Sequence, residues 1–150
     1  MENFFKKHWK KIAIGLAILI MIILIYQYGK NEASIEQVPL PKDDPNSPLT
    51  EDQKKRVREI SQRLYSDMDS YLVSTGFKPR DTEAYNFMIT SSDTLVVAVY
   101  NDFNNLYFKD RQGDGTLTKW VTDEYFNPAG EVSNETRGAI LKRFAKLNLK

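Results

Sequence analysis

The sequence predicts an all-α domain carried behind a single membrane-spanning helix. Three observations carry that expectation. An uninterrupted apolar run lies near the N-terminus, a proline-rich stretch follows it, and from residue 50 onward apolar side chains recur at helical spacing between capping residues. Once the run and the stretch are set aside, about 100 residues remain, room for one modest domain and no more. The expected organisation is a basic tail over 1–11, a transmembrane helix over 12–29, a linker over 30–49 and a helical domain over 50–150.

From Ile12 to Gly29 the chain holds no Asp, Glu, Lys or Arg, and from Ile12 to Ile25 nothing more polar than methionine. Eighteen helical residues at 1.5 Å each reach about 27 Å, close to the hydrocarbon thickness of a bilayer, so residues 12–29 are expected to contact membrane lipid. Trp9 on one side and Tyr26 and Tyr28 on the other suit the headgroup level, with Lys10 and Lys11 placed to snorkel outward. A buried core helix would show a polar face. A cleaved signal peptide would show a small-x-small site, which Gln27-Tyr28-Gly29-Lys30-Asn31-Glu32-Ala33 does not supply. Lys6, Lys7, Lys10 and Lys11 precede the run and only Lys30 follows it closely. The positive-inside rule then puts the N-terminus in the cytoplasm and the domain in a periplasm, outside a cell, or on the equivalent face of a virion membrane.

Residues 31–49 read NEASIEQVPLPKDDPNSPL and contain Pro39, Pro41, Pro45 and Pro48. Proline restricts its own φ and biases the preceding residue toward extended backbone, so a semi-rigid spacer is expected, reaching at most roughly 60 Å. A polyproline ligand for another domain is the alternative, although few basic residues flank the prolines.

Thr50 and Gln53 form a capping box ahead of Val57, Ile60, Leu64, Met68, Tyr71 and Leu72, which predicts a first helix over 51–73. Thr75-Gly76 ends it. Asp81 or Thr82 can cap a short second helix whose apolar side holds Tyr85, Met88 and Ile89. From Thr94 to Phe108 two readings compete, because Leu95-Val96-Val97-Ala98-Val99-Tyr100 has strand-like composition. The series Leu95, Val99, Phe103, Leu106, Tyr107 follows one helix face, and Ser92 with Asp93 supplies a cap, so a third helix is favoured. Asp114 is the expected cap of a fourth, with Leu117, Trp120, Val121 and Tyr125 on one face. Ser133 opens a fifth that carries Ile140, Leu141, Phe144 and Leu147, its Lys142, Arg143 and Lys146 suiting its own negative C-terminal end. The expected core residues are Leu64, Leu95, Val99, Phe103, Trp120, Leu141 and Phe144. The alternative is an α+β domain with a three-stranded meander turning at 101–105 and 111–115.

The order of features from about residue 60 to 147 resembles a single annexin-type repeat. The resemblance rests on a glycine turn at Gly76, the cluster Asp81-Thr82-Glu83 opening a short helix, a third helix containing VYNDFNNLYF, and TLTKWVTDEYF before a fifth. It implies five helices in a right-handed superhelix. Annexins bind calcium through loop carbonyls of a G-x-G-T motif and a carboxylate some forty residues later, a position that Asp123 or Glu124 would match. Here the loop reads Gly76-Phe77-Lys78-Pro79-Arg80-Asp81, with two cations where the metal would approach. The fold is therefore expected to carry over without calcium-dependent lipid binding, which stays as an alternative.

Residues 30–150 hold 17 basic and 19 acidic side chains, a balance that argues against nucleic-acid binding. The absence of cysteine and the single His8 in the tail remove thiolate nucleophiles, disulfides and histidine-based triads. Asp110, Gln112, Asp114 and Gly115 partly match an EF-hand loop, but Val121 stands where its bidentate Glu is required. Asp67 and Asp69 fall on different faces of the first helix, Asp123 with Glu124 reads as solvated surface, and Lys54, Lys55, Arg56 and Arg58 read as a solvated basic face. Asn134-Glu135-Thr136 fits a glycosylation sequon. No catalytic, cofactor-binding or metal-binding residue is expected. The functional expectation is a non-enzymatic, membrane-anchored structural or interaction protein with a protein partner or its own copies as target, a component of an envelope assembly or membrane-associated phage particle. The alternative from another class is a tethered carbohydrate or peptidoglycan hydrolase using Asp123 and Glu124.

Overall fold

The computed structural model describes residues 36–42, 48–110, 115–126 and 130–150, and its regular elements are all helical. They are α1 (Glu51–Met68), the single turn α2 (Tyr71–Ser74), α3 (Thr82–Thr90), α4 (Asp93–Tyr107) followed by a 3-10 turn (Phe108–Asp110), α5 (Leu117–Asp123) and α6 (Asn134–Lys146). The meander alternative is not found: the 94–108 segment is helix. The basic tail and apolar run, with Trp9, Lys10, Lys11, Tyr26 and Tyr28, lie outside the described residues. Within those residues no helix is long and apolar enough to cross a membrane.

Capping chemistry sets most boundaries. Thr50 and Gln53 exchange both hydrogen bonds of the box at the start of α1, and Asp81, Ser92, Thr116 and Ser133 each accept a backbone N–H at the next four long starts. The cap of α5 is therefore Thr116, not Asp114. Gly115 beside it is there for steric reasons, since a Cβ would meet the Phe108 carbonyl oxygen at 1.8 Å.

α1 stops at Met68, five residues short of the expected end. The Asp69 N–H still reaches the Tyr65 carbonyl, but the Ser70 N–H turns to the Asp67 carbonyl, and only the turn α2 follows before Gly76 adopts φ 79°. Leu72 is consequently turned out to solvent instead of continuing the apolar stripe. α5 is also shorter than its pattern suggests. Glu124 is extended, at φ −73° and ψ 140°, and from there successive side chains alternate sides: Glu124 buried, Tyr125 exposed, Phe126 buried. Tyr125 thus leaves the face it was expected to share with Leu117, Trp120 and Val121.

The core forms chiefly where α1 crosses α4, and α6 closes it against α3 and α5. Leu64, Val99, Phe103, Trp120 and Phe144 are buried, while Leu95 and Leu141 lie half-buried against the same cluster. Val96, Val97, Ala98 and Tyr100 are buried too, so the upstream half of α4 is covered nearly all round. That explains its strand-like composition: a helix with no solvent face needs no polar stripe. Ser61 lies at the α1–α4 crossing, where its hydroxyl donates to the carbonyls of Val57 and Val99. Tyr65 and Tyr107 stack with ring centroids 3.9 Å apart, and Trp120 stands edge-on to both Tyr65 and Phe103. Burial holds the Tyr65 hydroxyl up at about 12, helped by a hydrogen bond with Asp110.

Two side chains tie helices together in ways that spacing does not reveal. Arg143 does not serve its own helix end. Its guanidinium donates to the carbonyls of Met88 and Ile89, at 3.1 and 2.6 Å, and of Ser91, and pairs with Asp93 at 2.9 Å, so α6 caps the C-terminal end of α3. The buried Asn104 accepts the Leu117 N–H at 2.8 Å and thereby secures the start of α5. Residues 36–42 lie on the domain, with Val38 and Leu40 against the core.

Candidate functional site

The loop between α2 and α3 is the most heavily constructed part of the surface. Beyond Gly76 it bends back so that the Lys78 N–H donates to the Leu72 carbonyl at 2.9 Å, and Pro79 then directs Arg80 inward. The Arg80 side chain is 8% exposed, although most arginines lie at the surface. Its Nη1 donates to Asp67 Oδ2 at 2.8 Å and to the Tyr85 hydroxyl at 3.3 Å; its Nη2 donates to Glu124 Oε1 at 2.7 Å and to the Tyr125 carbonyl. The guanidinium lies 4.6 Å from the centroid of the Phe126 ring. One side chain thus joins the end of α1, the loop, the start of α3 and the segment after α5.

The partners are equally satisfied. Asp67 Oδ1 accepts the Asp81 N–H at 2.8 Å and Oδ2 accepts the Tyr85 hydroxyl at 2.8 Å. The Tyr85 pKa is pushed well above its ordinary value, first by burial and then by the Asp67 charge. For Arg80, burial opposes the charge, but Tyr85, Glu124 and Asp67 outweigh it and the net shift is upward. Arg137 donates to the Glu124 carbonyl at 3.2 Å and also lies over Phe126. Two carboxylates and one guanidinium closed in this way form a rigid brace with little capacity left for proton transfer.

Beside the brace lies a cleft of about 280 Å³, lined among others by Val73, Lys78, Tyr125, Glu131 and Val132. Tyr125 of its lining is 63% exposed, and two neighbours in sequence of lining residues are exposed as well, Phe77 between Gly76 and Lys78 at 82% and Leu72 before Val73 at 55%.

Four of the acids singled out in the sequence have a definite place among the described residues. Asp69 is exposed and Asp67 buried, as their two-residue separation requires. Glu124 is not solvated surface, since Arg80 draws it in, whereas Asp123 is exposed and pairs with Lys119 at 2.5 Å. Most of the basic run on α1 is engaged: Lys54 with Glu51, Arg56 with Glu59 and Glu83, Arg58 with Asp102. Thr136 of the sequon completes the capping box with Ser133. Of the EF-hand-like stretch, residues 111–114 lie outside the described residues. Among the described residues no three His, Asp or Glu side chains gather as a metal-ligand group. The roles of Asp67 and Arg80 as partners were missed by sequence reasoning. One signal was available: Asp67 falls on the stripe of Ile60, Leu64 and Met68, and a carboxylate on a buried stripe requires a cation.

The architecture is an all-α domain in which a buried arginine ties the end of α1 and the start of α3 to the segment after α5. No family model, curated protein or solved structure matches the chain.

Proposed function

We propose that this chain is a single-pass membrane protein that presents its helical domain outside the cytoplasm as a contact module for a protein partner or for its own copies, as a component of an envelope assembly or a membrane-associated phage particle. The observation that carries the contact role is the exposure of Tyr125, which lines the cleft, and of Leu72 and Phe77, each adjacent in sequence to a residue that lines it. Exposed large apolar side chains on or beside segments joined by a buried ion cluster are preorganised for docking, because little backbone freedom is left to lose on contact. The uncharged run over 12–29 and the lysines ahead of it support the anchor and its orientation.

The experiment is photo-crosslinking in native membranes or particles, with a photoreactive residue in place of Phe77. A discrete crosslinked partner or dimer, lost on Tyr125→Asp with the circular dichroism unchanged, is the expected result. Absence of any product above background would end the contact reading. Separately, the chain should remain with membranes through alkaline carbonate, and a reporter fused after Lys150 should be active only outside the cytoplasm.

The annexin-like reading draws support from one contact. Glu124, the acid 44 residues beyond Arg80, does meet the loop, but through the Arg80 guanidinium. An arginine standing where that family holds a cation accounts for a repeat-like fold without calcium dependence, so millimolar calcium should leave thermal stability unchanged.

A further inference from the structure

Asn101 occupies the middle of α4, where asparagine is a poor helix former. Its amide serves another segment. Oδ1 accepts the Val38 N–H at 2.9 Å, and Nδ2 donates to the Val38 carbonyl at 2.8 Å. One side chain thereby satisfies both main-chain groups of one extended residue, a contact that reads backbone and not side-chain identity. Pro39 and Pro41 flank Leu40, carry no N–H, and favour extended backbone before docking, which lowers the ordering cost. Val38 and Leu40 rest against the core beside α1 and α4, and together with Leu49, Val57 and Ala98 they line an open cleft of about 470 Å³ alongside the seated segment. Arg58 and Asp102, paired at 3.0 Å, also line that cleft.

A main-chain clamp beside pockets for alternate apolar side chains is the general arrangement by which proteins bind extended peptides. We propose that the α1–α4 groove is a binding site for an extended peptide of the pattern apolar-Pro-apolar-Pro, and that residues 38–41 of this chain are its tethered resident ligand. A free spacer would have no use for Asn101. The resident segment profits from its tether, whose effective concentration is on the order of millimolar, so a ligand of the same chemistry in trans is excluded while the segment is seated. The inference rests on the described residues and does not depend on the membrane anchor or on the Phe77 cleft.

The test uses the full chain in detergent and a fluorescein-labelled peptide of residues 36–42. Val38→Pro with Leu40→Asp empties the groove without touching its helical walls. The emptied chain should bind the peptide saturably. The unaltered chain should bind it about tenfold more weakly or worse, because its own segment competes. Adding Asn101→Ala to the emptied chain should weaken binding about fivefold. No saturable binding by an emptied chain of unchanged helical content, or equal binding with and without Asn101→Ala, would overturn the proposal. Hydrogen exchange on the unaltered chain gives an independent decision should the emptied variant unfold. The Val38 amide should exchange at least about tenfold more slowly than in the free peptide, and exchange at the free-peptide rate would refute the clamp.

Discussion

Two arginine clusters made from the same side-chain chemistry lie on either side of α3's first turn, and they do different work. In one, Arg80 meets Asp67 and Glu124 at 2.8 and 2.7 Å with all three side chains under one-tenth exposed. In the other, Arg56 meets Glu59 and Arg63 meets Asp81 and Glu83, each at 2.7 Å, and Arg56 also pairs with Glu83, but Glu59 and Glu83 are about half exposed. Distance alone does not separate them. Water does: an exposed partner that is removed is replaced by solvent and its counter-charge is screened, whereas a buried partner that is removed leaves a charge with nothing to solvate it. The inner cluster is therefore a condition of the fold, and the outer one an adjustment to it. Asp81 bridges the two: its N–H donates to Asp67 Oδ1 at 2.8 Å, and its carboxylate accepts a two-pronged contact from Arg63 at 2.7 Å.

The sharpest way to break this comparison is Arg80→Met. Two buried carboxylates lose their cation, and the loss should be about 3 to 5 kcal/mol in urea unfolding. Combining it with Asp67→Asn and Glu124→Gln should recover a large part of that, since the penalty belongs to uncompensated charge and not to lost attraction. A triple variant no more stable than the single one would refute the account. Trp120→Ala supplies an apolar yardstick at roughly 3 to 5 kcal/mol, and a neutral effect would mean that the ring is not the core element its position between Tyr65 and Phe103 indicates.

Tyr85→Phe removes one hydrogen bond to a charged acceptor and should cost about 1.5 to 3 kcal/mol at neutral pH. It should also change the alkaline limb. Because the folded-state hydroxyl titrates above its ordinary value of 10.0, its stabilising contribution is complete below pH 10 and is lost as pH rises beyond it. The variant should accordingly lose less stability between pH 10 and 12 than the parent, measured by urea midpoints.

The smallest effects lie in the outer cluster. Asp81 is held below its ordinary 3.8, chiefly by the Arg63 hydrogen bonds, so its contribution is complete above that pH and is lost as pH falls through the lower folded value. Arg63→Gln should flatten the acid limb below about pH 4 and, by linkage, lower stability at pH 7 by the same modest amount that the parent loses through that limb, a difference that shrinks as salt rises. Glu83→Gln should leave the unfolding midpoint unchanged within reproducibility, and a loss comparable to that of Arg80→Met would erase the distinction between the clusters.

How far the chain could be read in advance depended on whether the deciding interaction was local. Caps act over three residues, so Thr50, Asp81, Ser92 and Ser133 were legible where each helix begins. Period together with the Ser92 cap identified α4 as a helix with Val99 and Phe103 inward, despite composition that suits a strand. Where an element ends was less legible. Leu72 and Tyr125 continue an apolar pattern on paper, yet α1 ends at Met68, and α5 gives way to extended backbone where Glu124 meets Arg80. The brace itself was unreadable for the same reason: its members are separated by 13 and 44 residues, and no local rule selects which carboxylate a given arginine will meet.

Residues alone were enough for the helical class, the helix starts, most of the core and the polar balance of the chain, because propensity, capping and periodicity are properties of neighbours in sequence. The tertiary structure decided the rest. It turned Arg143 from its own helix to the carbonyls of α3, buried Glu124 beside a surface Asp123, and seated Val38 on Asn101 across 63 residues. Each of these is a choice among many polar partners within reach of a folded chain, and such choices are made by what burial leaves unsatisfied, a quantity that exists only once the helices have come together.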